Sequence, residues 1–125
     1  GALGKGVVII PETGELRAPA DGVITSIFTT KHAIGITTVN GAEVLIHLGI
    51  DTVQLGGKYF EAVAKENDKV KKGDLLIKFD MEKIIDEGFS MDTPVVISNS
   101  EEYMDVLAAD KDEIDMEEQL LTLIK

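Results

Sequence analysis

Short apolar runs rich in β-branched residues recur along the chain, and Gly, Pro, Asn and Asp stand between them. Many short strands at close spacing, separated by turn residues, are typical of β-sandwiches and β-barrels. The sequence therefore predicts an all-β, antiparallel sandwich or barrel. The predicted strands cover residues 7–10, 23–28, 34–39, 44–50, 75–79, 95–98 and 120–124.

Helical structure is predicted at only two places. Asp80 can cap a turn that runs through Met81, Ile84 and Ile85, and Gly88 can take the left-handed conformation that ends such a turn. A second helical turn is predicted over residues 101–107. We expect one or two short helical turns and no long helix.

Two segments of the chain share a pattern of turn residues followed by an apolar strand. They cover residues 70–77 and 114–121, which are 44 residues apart. The repeat suggests an internal duplication. At 125 residues the whole chain, 1–125, is expected to form one domain.

The composition excludes several classes of function. The chain has no cysteine, which excludes thiol catalysis, disulfides and cysteine-ligated metal sites. A formal net charge of −11 argues against nucleic acid and favours a basic protein partner. No apolar run approaches the roughly 18 residues of a membrane span, so we expect no direct membrane insertion of this domain. The lack of disulfides suits a cytoplasmic location, which we expect.

The chain has two histidines, and the predicted hairpin between residues 34 and 50 brings them together. Asn40-Gly41 between two alternating apolar runs predicts a two-residue type I′ turn. If Val39 faces Ala42, opposed residues have numbers that sum to 81, which places Ile34 opposite His47. Because side chains alternate between faces, His32 would then be a diagonal neighbour of His47 on one sheet face.

Two neighbouring imidazoles suit phosphoryl transfer. One ring nitrogen can act as the nucleophile, and the second ring can hydrogen-bond whatever the first one carries. Two alternatives stay open at this point: a lone histidine on an apolar strand is often structural, and a diagonal pair could be half of a zinc site.

The second strand of this hairpin carries a recognisable motif. Residues 41–53 read Gly-Ala-Glu-Val-Leu-Ile-His-Leu-Gly-Ile-Asp-Thr-Val. This segment resembles the phosphorylation-site signature of the glucose-type enzyme IIA family of the bacterial phosphoenolpyruvate-dependent sugar phosphotransferase system. The likeness extends to residues 18–22, 30–36, 71–74 and 93–99, and the 15-residue separation of the two histidines also agrees with the family.

The resemblance implies a fold of the duplicated hybrid-motif type and a role for each site residue. His47 would accept a phosphoryl group from the histidine phosphocarrier protein through Nε2 and pass it to a cysteine of a sugar-specific enzyme IIB domain. The carbonyl of Gly49 would hold the Nδ1 proton of His47, His32 would donate to the phosphoryl oxygens, and Thr30 would orient His32. Asp51 would lie at the rim of the site, and no metal or other cofactor is implied.

An apolar docking surface is expected around the histidines, formed by Phe28, Ile34, Leu45 and Val53. The family usually has further residues before the point where this chain begins. We therefore expect either a missing N-terminal segment or a piece of a longer polypeptide, such as one that tethers the domain to a sugar permease. Residues 56–60, Gly-Gly-Lys-Tyr-Phe, replace a more usual Asn-Gly-Glu-Gly-Phe segment.

Three other functions compete with this interpretation. A regulatory domain of a sugar permease would carry the same histidine pair. A zinc hydrolase of the related duplicated sandwich fold would need more histidines than the two available. A non-catalytic interaction module that uses the acidic residues between 101 and 118 would not be phosphorylated by a phosphocarrier.

Overall fold

The computed structural model describes residues 5–97, and their side chains from residue 8 onward. These residues form two antiparallel sheets that share one hydrophobic core. The prediction of an all-β antiparallel sandwich is confirmed. The strands are β1 Lys5–Ile9, β2 Glu15–Arg17, β3 Gly22–Ile27, β4 Ala33–Thr38, β5 Glu43–His47, β6 Phe60–Ala62, β7 Lys69–Val70, β8 Leu75–Phe79 and β9 Thr93–Ile97.

The larger sheet has six strands in the order β1-β9-β5-β4-β3-β7, and the smaller one has three in the order β2-β8-β6. Strands β3, β4 and β5 are consecutive in the chain and adjacent in the sheet, so they form a meander. Strand β5, which ends in His47, is therefore held between β4 and β9 near the middle of the larger sheet.

The predicted helical turn is present as α1, Met81–Asp86. The Asp80 carboxylate accepts from the backbone N–H of Lys83 at 3.2 Å and so caps the helix, and Gly88 beyond its end has φ 96°.

The sequence did not predict β2, β6 and β7, which have two or three residues each, or the 3-10 turn Thr52–Leu55. The predicted helix at 101–107, the second repeat copy at 114–121 and the strand at 120–124 lie outside the described residues.

The β4–β5 connection differs from the predicted two-residue turn. Ala33 lies opposite His47 and Ile36 opposite Val44, so paired residues sum to 80 rather than 81. A type I′ turn needs positive φ at both central residues. Only Gly41 in this loop has positive φ, at 90°, and the loop closes with three residues between Thr38 and Ala42. The predicted register was therefore wrong by one residue.

Alternation along β5 and β9 separates the core from an outer face. Val44 and Ile46 of β5 point into the core, as do Thr93, Val95 and Ile97 of β9. Their neighbours point to the other face of the sheet. On that outer face lie Leu45, His47, Pro94 and Val96.

The central position of Ile46 gives a direct test of this packing. Its side chain has 0% exposure. Replacing Ile46 with Ala should lower the free energy of unfolding by about 2 to 5 kcal/mol, because the lost methyl groups leave a cavity. Urea denaturation would measure the loss.

The matched control is Val39→Ala in the neighbouring hairpin loop, where the side chain is 75% exposed. That substitution should change the free energy of unfolding by no more than about 0.5 kcal/mol. Equal losses for the two variants would contradict the core described here.

Candidate active site

His47 is the last residue of β5, and a backbone hydrogen-bond acceptor orients its ring. The Nδ1 atom of His47 lies 2.7 Å from the carbonyl oxygen of Gly49. A carbonyl can only accept, so Nδ1 must carry the proton in this contact. In the neutral ring the lone pair is then on Nε2, the nitrogen that a nucleophile at this position would use.

The chain after His47 is shaped to hold that carbonyl in place. Gly49 has φ 86°, and a Cβ atom there would lie 2.5 Å from the Thr52 side chain and 2.9 Å from the Ser90 carbonyl oxygen. No other residue type fits without displacement of its neighbours. The Ile50 N–H donates to Ser90 at 3.0 Å, and the buried Thr52 hydroxyl donates to the Leu48 carbonyl at 2.6 Å.

His32 lies against His47. The two ring centroids are 4.6 Å apart and the rings are inclined at 75°. The hydroxyl of Thr30 is hydrogen-bonded to Nδ1 of His32, and the Phe28 ring contacts His32 edge-on at 5.5 Å. The prediction that the two histidines meet agrees with this geometry, although the register from which it was derived was wrong.

His32 is the more enclosed of the two histidines, with 2% of its surface exposed. Burial lowers the pKa of His32 below its ordinary value, and the positive charge that His47 can carry lowers it further. Both effects favour the neutral form of the His32 ring.

Asp51 lies at the rim, as the resemblance implied. Its backbone is left-handed, with φ 61°, and its side chain does not cap the 3-10 turn that follows. It lines a cavity of 330 Å³ beside His47. The full lining is Leu45, His47, Gly49, Ile50, Asp51, Pro94 and Val96.

Three of the four predicted docking residues are exposed: Val53 at 50%, Phe28 at 43% and Leu45 at 37%. Ile34 is not, because its exposure is 0% and it pairs with the equally buried Ile46 across β4 and β5. The expectation that Ile34 contributes to a docking surface is therefore wrong; the one-residue change of register places it in the core.

Sequence reasoning missed the other apolar residues at this rim. Ile50 is 40% exposed and lines the cavity, together with Pro94 and Val96. Ile50 stands inside the recognised motif and could have been found there. The two β9 residues could not, because local patterns do not reveal that β9 pairs with β5.

The loop at residues 56–60, which departs from the family's more usual segment, is hydrogen-bonded to the residue that follows α1. The Tyr59 hydroxyl donates to the Glu87 carboxylate at 2.5 Å, and the Lys58 ammonium donates to the same oxygen at 3.2 Å. These hydrogen bonds, that of Tyr59 foremost, lower the pKa of the Glu87 carboxyl. Lys58 and Tyr59 therefore both bind Glu87, directly after α1, and none of these contacts involves the histidine pair.

Within residues 5–97, no three His, Cys, Asp or Glu side chains are grouped so that they could hold a metal ion. No helix there has the length and apolar character needed to cross a membrane.

Comparison with known proteins gives concordant results. The family model described as phosphoenolpyruvate-dependent sugar phosphotransferase system, EIIA 1, matches residues 1–103. A β-glucoside-specific EIIBCA component of Halalkalibacterium halodurans is 45% identical over 125 residues, which are 100% of this chain and 20% of that protein. A glucose-specific EIIA component of Staphylococcus epidermidis is 44% identical over 100 residues, covering 80% of this chain and 60% of that protein.

A solved structure is also similar to this chain. The glucose permease IIA from Mycoplasma capricolum superposes with a TM-score of 0.73 and 36% identity, covering 79% of this chain and 64% of that one. The chain thus spans a fifth of the length of its β-glucoside relative. Since the family model covers most of the sequence and the fold agrees, the chain belongs to the EIIA 1 family of the phosphoenolpyruvate-dependent sugar phosphotransferase system, as a domain of the glucose type.

Proposed function

We propose that this domain carries a phosphoryl group on Nε2 of His47, between the histidine phosphocarrier protein and a cysteine of a sugar-specific enzyme IIB domain. The observation that carries the proposal is the contact between Nδ1 of His47 and the Gly49 carbonyl, with the His32 ring at 4.6 Å. It leaves one nucleophilic nitrogen and a second imidazole beside it.

Both transfers exchange one bond to phosphorus for another. In the first, the Nε2 lone pair attacks the phosphorus of the phosphocarrier's phosphohistidine; an N–P bond forms on His47 as the donor's N–P bond breaks. In the second, the IIB thiolate attacks, an S–P bond forms, and Nε2 recovers its lone pair. The transition state is loose, so the protein contributes mainly alignment and charge stabilisation.

His32 is suited to stabilise charge on the transferring group. When Nδ1 accepts from the Thr30 hydroxyl, the Nε2 proton of His32 is free to be donated toward the phosphoryl oxygens. Burial and His47 favour the neutral form of His32 beforehand. The phosphoryl group brings negative charge next to this ring, and a neighbouring anion favours the protonated imidazole. An imidazolium would then stabilise the negative charge that is spread over the transferring group in the transition state.

Asp51 and the apolar rim complete the proposed site. The exposed carboxylate of Asp51 adds negative charge at the edge of the His47 cavity, which disfavours excessively tight binding of a phosphoryl dianion. Phe28, Leu45 and Val53 offer apolar surface that excludes water when a partner docks, and Ile50 extends that surface.

The sugar is proposed only as a class. One relative named above is β-glucoside-specific and another is glucose-specific, at nearly equal identity to this chain. We therefore propose that sugar choice lies in other parts of the transport system, with this domain supplying phosphate for uptake of a hexose or glucoside.

The first test of this function is His47→Ala. The substitution should abolish phosphorylation after incubation with phosphoenolpyruvate, enzyme I and the phosphocarrier, as measured by intact-protein mass spectrometry. The free energy of unfolding should change little, because the ring lies on the outer face at the end of β5. Val39→Ala, at the opposite end of the hairpin, should be phosphorylated like the unmodified protein. Acid-labile phosphate on the His47→Ala protein would refute the assignment.

The second test separates the two histidines. His32→Gln keeps a hydrogen-bond donor, so His47 should still accept phosphate from the phosphocarrier. Transfer onward to enzyme IIB should fall by a factor of about 100 to 1,000, because a neutral amide cannot supply the charge of an imidazolium. Both rates can be followed by rapid-quench assays. An unchanged rate of donation to IIB, or phosphate found on residue 32 of the unmodified protein, would contradict these roles.

The lowered pKa of His32 predicts how stability depends on pH. Above the ordinary histidine pKa of about 6.5, residue 32 is neutral in both folded and unfolded chains and contributes no pH dependence. As the pH falls below that value the unfolded chain binds the proton first, so the free energy of unfolding decreases. His32→Gln should flatten the decrease below about pH 6.5 in urea titrations. Parallel curves for the two proteins would rule out this contribution.

A further inference from the structure

Left-handed backbone conformations occur next to both histidine segments. Among residues 5–97, four residues other than glycine have positive φ: Lys31 at 62°, Asp51 at 61°, Tyr59 at 76° and Asn67 at 73°. Such conformations are unfavourable for residues with a Cβ atom and persist only where the surroundings enforce them. Lys31 is of special interest because it stands directly between Thr30 and His32.

The sheet register alone does not bring the His32 ring to His47. Ala33 is opposite His47, so β4 extended backward by one residue would place His32 opposite Leu48, on the other face from His47. The backbone follows that register, since the Leu48 N–H donates to the His32 carbonyl at 2.7 Å. The rings nevertheless lie 4.6 Å apart. The chain must therefore leave strand geometry immediately before His32.

The hydrogen bond between the Thr30 hydroxyl and Nδ1 of His32 joins the two residues on either side of Lys31 and so spans the bend. Two backbone hydrogen bonds close the turn around that bend. The Lys31 N–H donates to the Phe28 carbonyl at 2.7 Å, and the Phe28 N–H donates to the Ala33 carbonyl at 3.0 Å.

We propose that Lys31 is a positioning residue, whose left-handed backbone bends segment 30–32 so that Thr30 holds the His32 ring against His47. The inference rests on the proposed roles of His47 and His32. It assigns the effect to the backbone of Lys31 and not to its charge, since the side chain is exposed. Asn and Gly adopt this conformation readily, whereas a β-branched residue opposes it.

The experiment compares Lys31→Asn with Lys31→Val. Both variants remove the same charge, but only Val disfavours the left-handed conformation. Asn67→Val is the matched control: it places Val at a second left-handed position, in the loop before β7, where Asn67 N–H donates to Ile24. Each protein is examined unphosphorylated by NMR, for ring-to-ring contacts and the His32 pKa, and then in both transfer assays.

For Lys31→Val we expect weakened contacts between the two rings, a His32 pKa that returns toward its ordinary value, and onward transfer to IIB slowed by about 100-fold, the scale of a 1 Å misplacement. Lys31→Asn should keep the ring contacts and the lowered pKa, with onward transfer within about threefold of the unmodified rate, since it preserves the bend. Asn67→Val should lose stability while its histidines and both transfer rates stay unchanged.

Two results would overturn the proposal: ring contacts and rates in Lys31→Val that match those of Lys31→Asn, or an equal loss in both variants, which would assign the effect to charge. If Lys31→Val does not fold, Lys31→Ala makes the same comparison with a milder opposition to the bend. Failure of the unmodified protein to accept phosphate would refute the proposed function, whereas the NMR comparison would still decide the role of Lys31.

Discussion

The hydrogen bond from Nδ1 of His47 to the Gly49 carbonyl is the contact on which the rest of the site depends. It fixes the ring orientation and the tautomer together, because a carbonyl admits only the protonated nitrogen. Its geometry requires glycine at position 49, since Thr52 and Ser90 occupy the space of a Cβ atom. A segment far along the chain, at Ser90, thus helps to determine which nitrogen of His47 faces outward.

The two histidines differ in environment, and the difference matches the division of labour proposed for them. His47 stands on the outer face beside an open cavity, where a large partner could reach Nε2. His32 is enclosed, contacts Phe28 and has a lowered pKa. A proton gained by His32 on arrival of a phosphoryl dianion would act in a poorly solvated setting, where opposite charges attract more strongly than in water. The family to which the chain belongs, EIIA 1 of the sugar phosphotransferase system, is consistent with this proposed division.

Much of the fold could be predicted from local patterns, because alternating apolar runs and caps such as Asp80 act over a few residues. The meeting of the histidines was also predicted, although from a wrong register, and the family resemblance implied the position of Asp51 at the rim. The register was beyond local patterns: Asn40-Gly41 has the residue types of a two-residue turn, yet only Gly41 adopts positive φ. This one-residue difference in register places Ile34 in the core, whereas the predicted register would have placed it on the outer face. The contributions of Pro94 and Val96 depend on a long-range strand pairing that no local pattern contains.

The meander of β3, β4 and β5 has a consequence for how the site is assembled during folding. Thr30, His32, His47, Gly49 and Asp51 all lie within 22 consecutive residues, on one hairpin and its flanking turns. Contacts of short sequence separation incur little loop-closure entropy and form quickly. The proposed site therefore belongs to a local part of an otherwise long-range β topology. Strand β9 and the segment just before it, whose partners are distant in sequence, add the cavity wall and the Ser90 acceptor only when the sheet is completed.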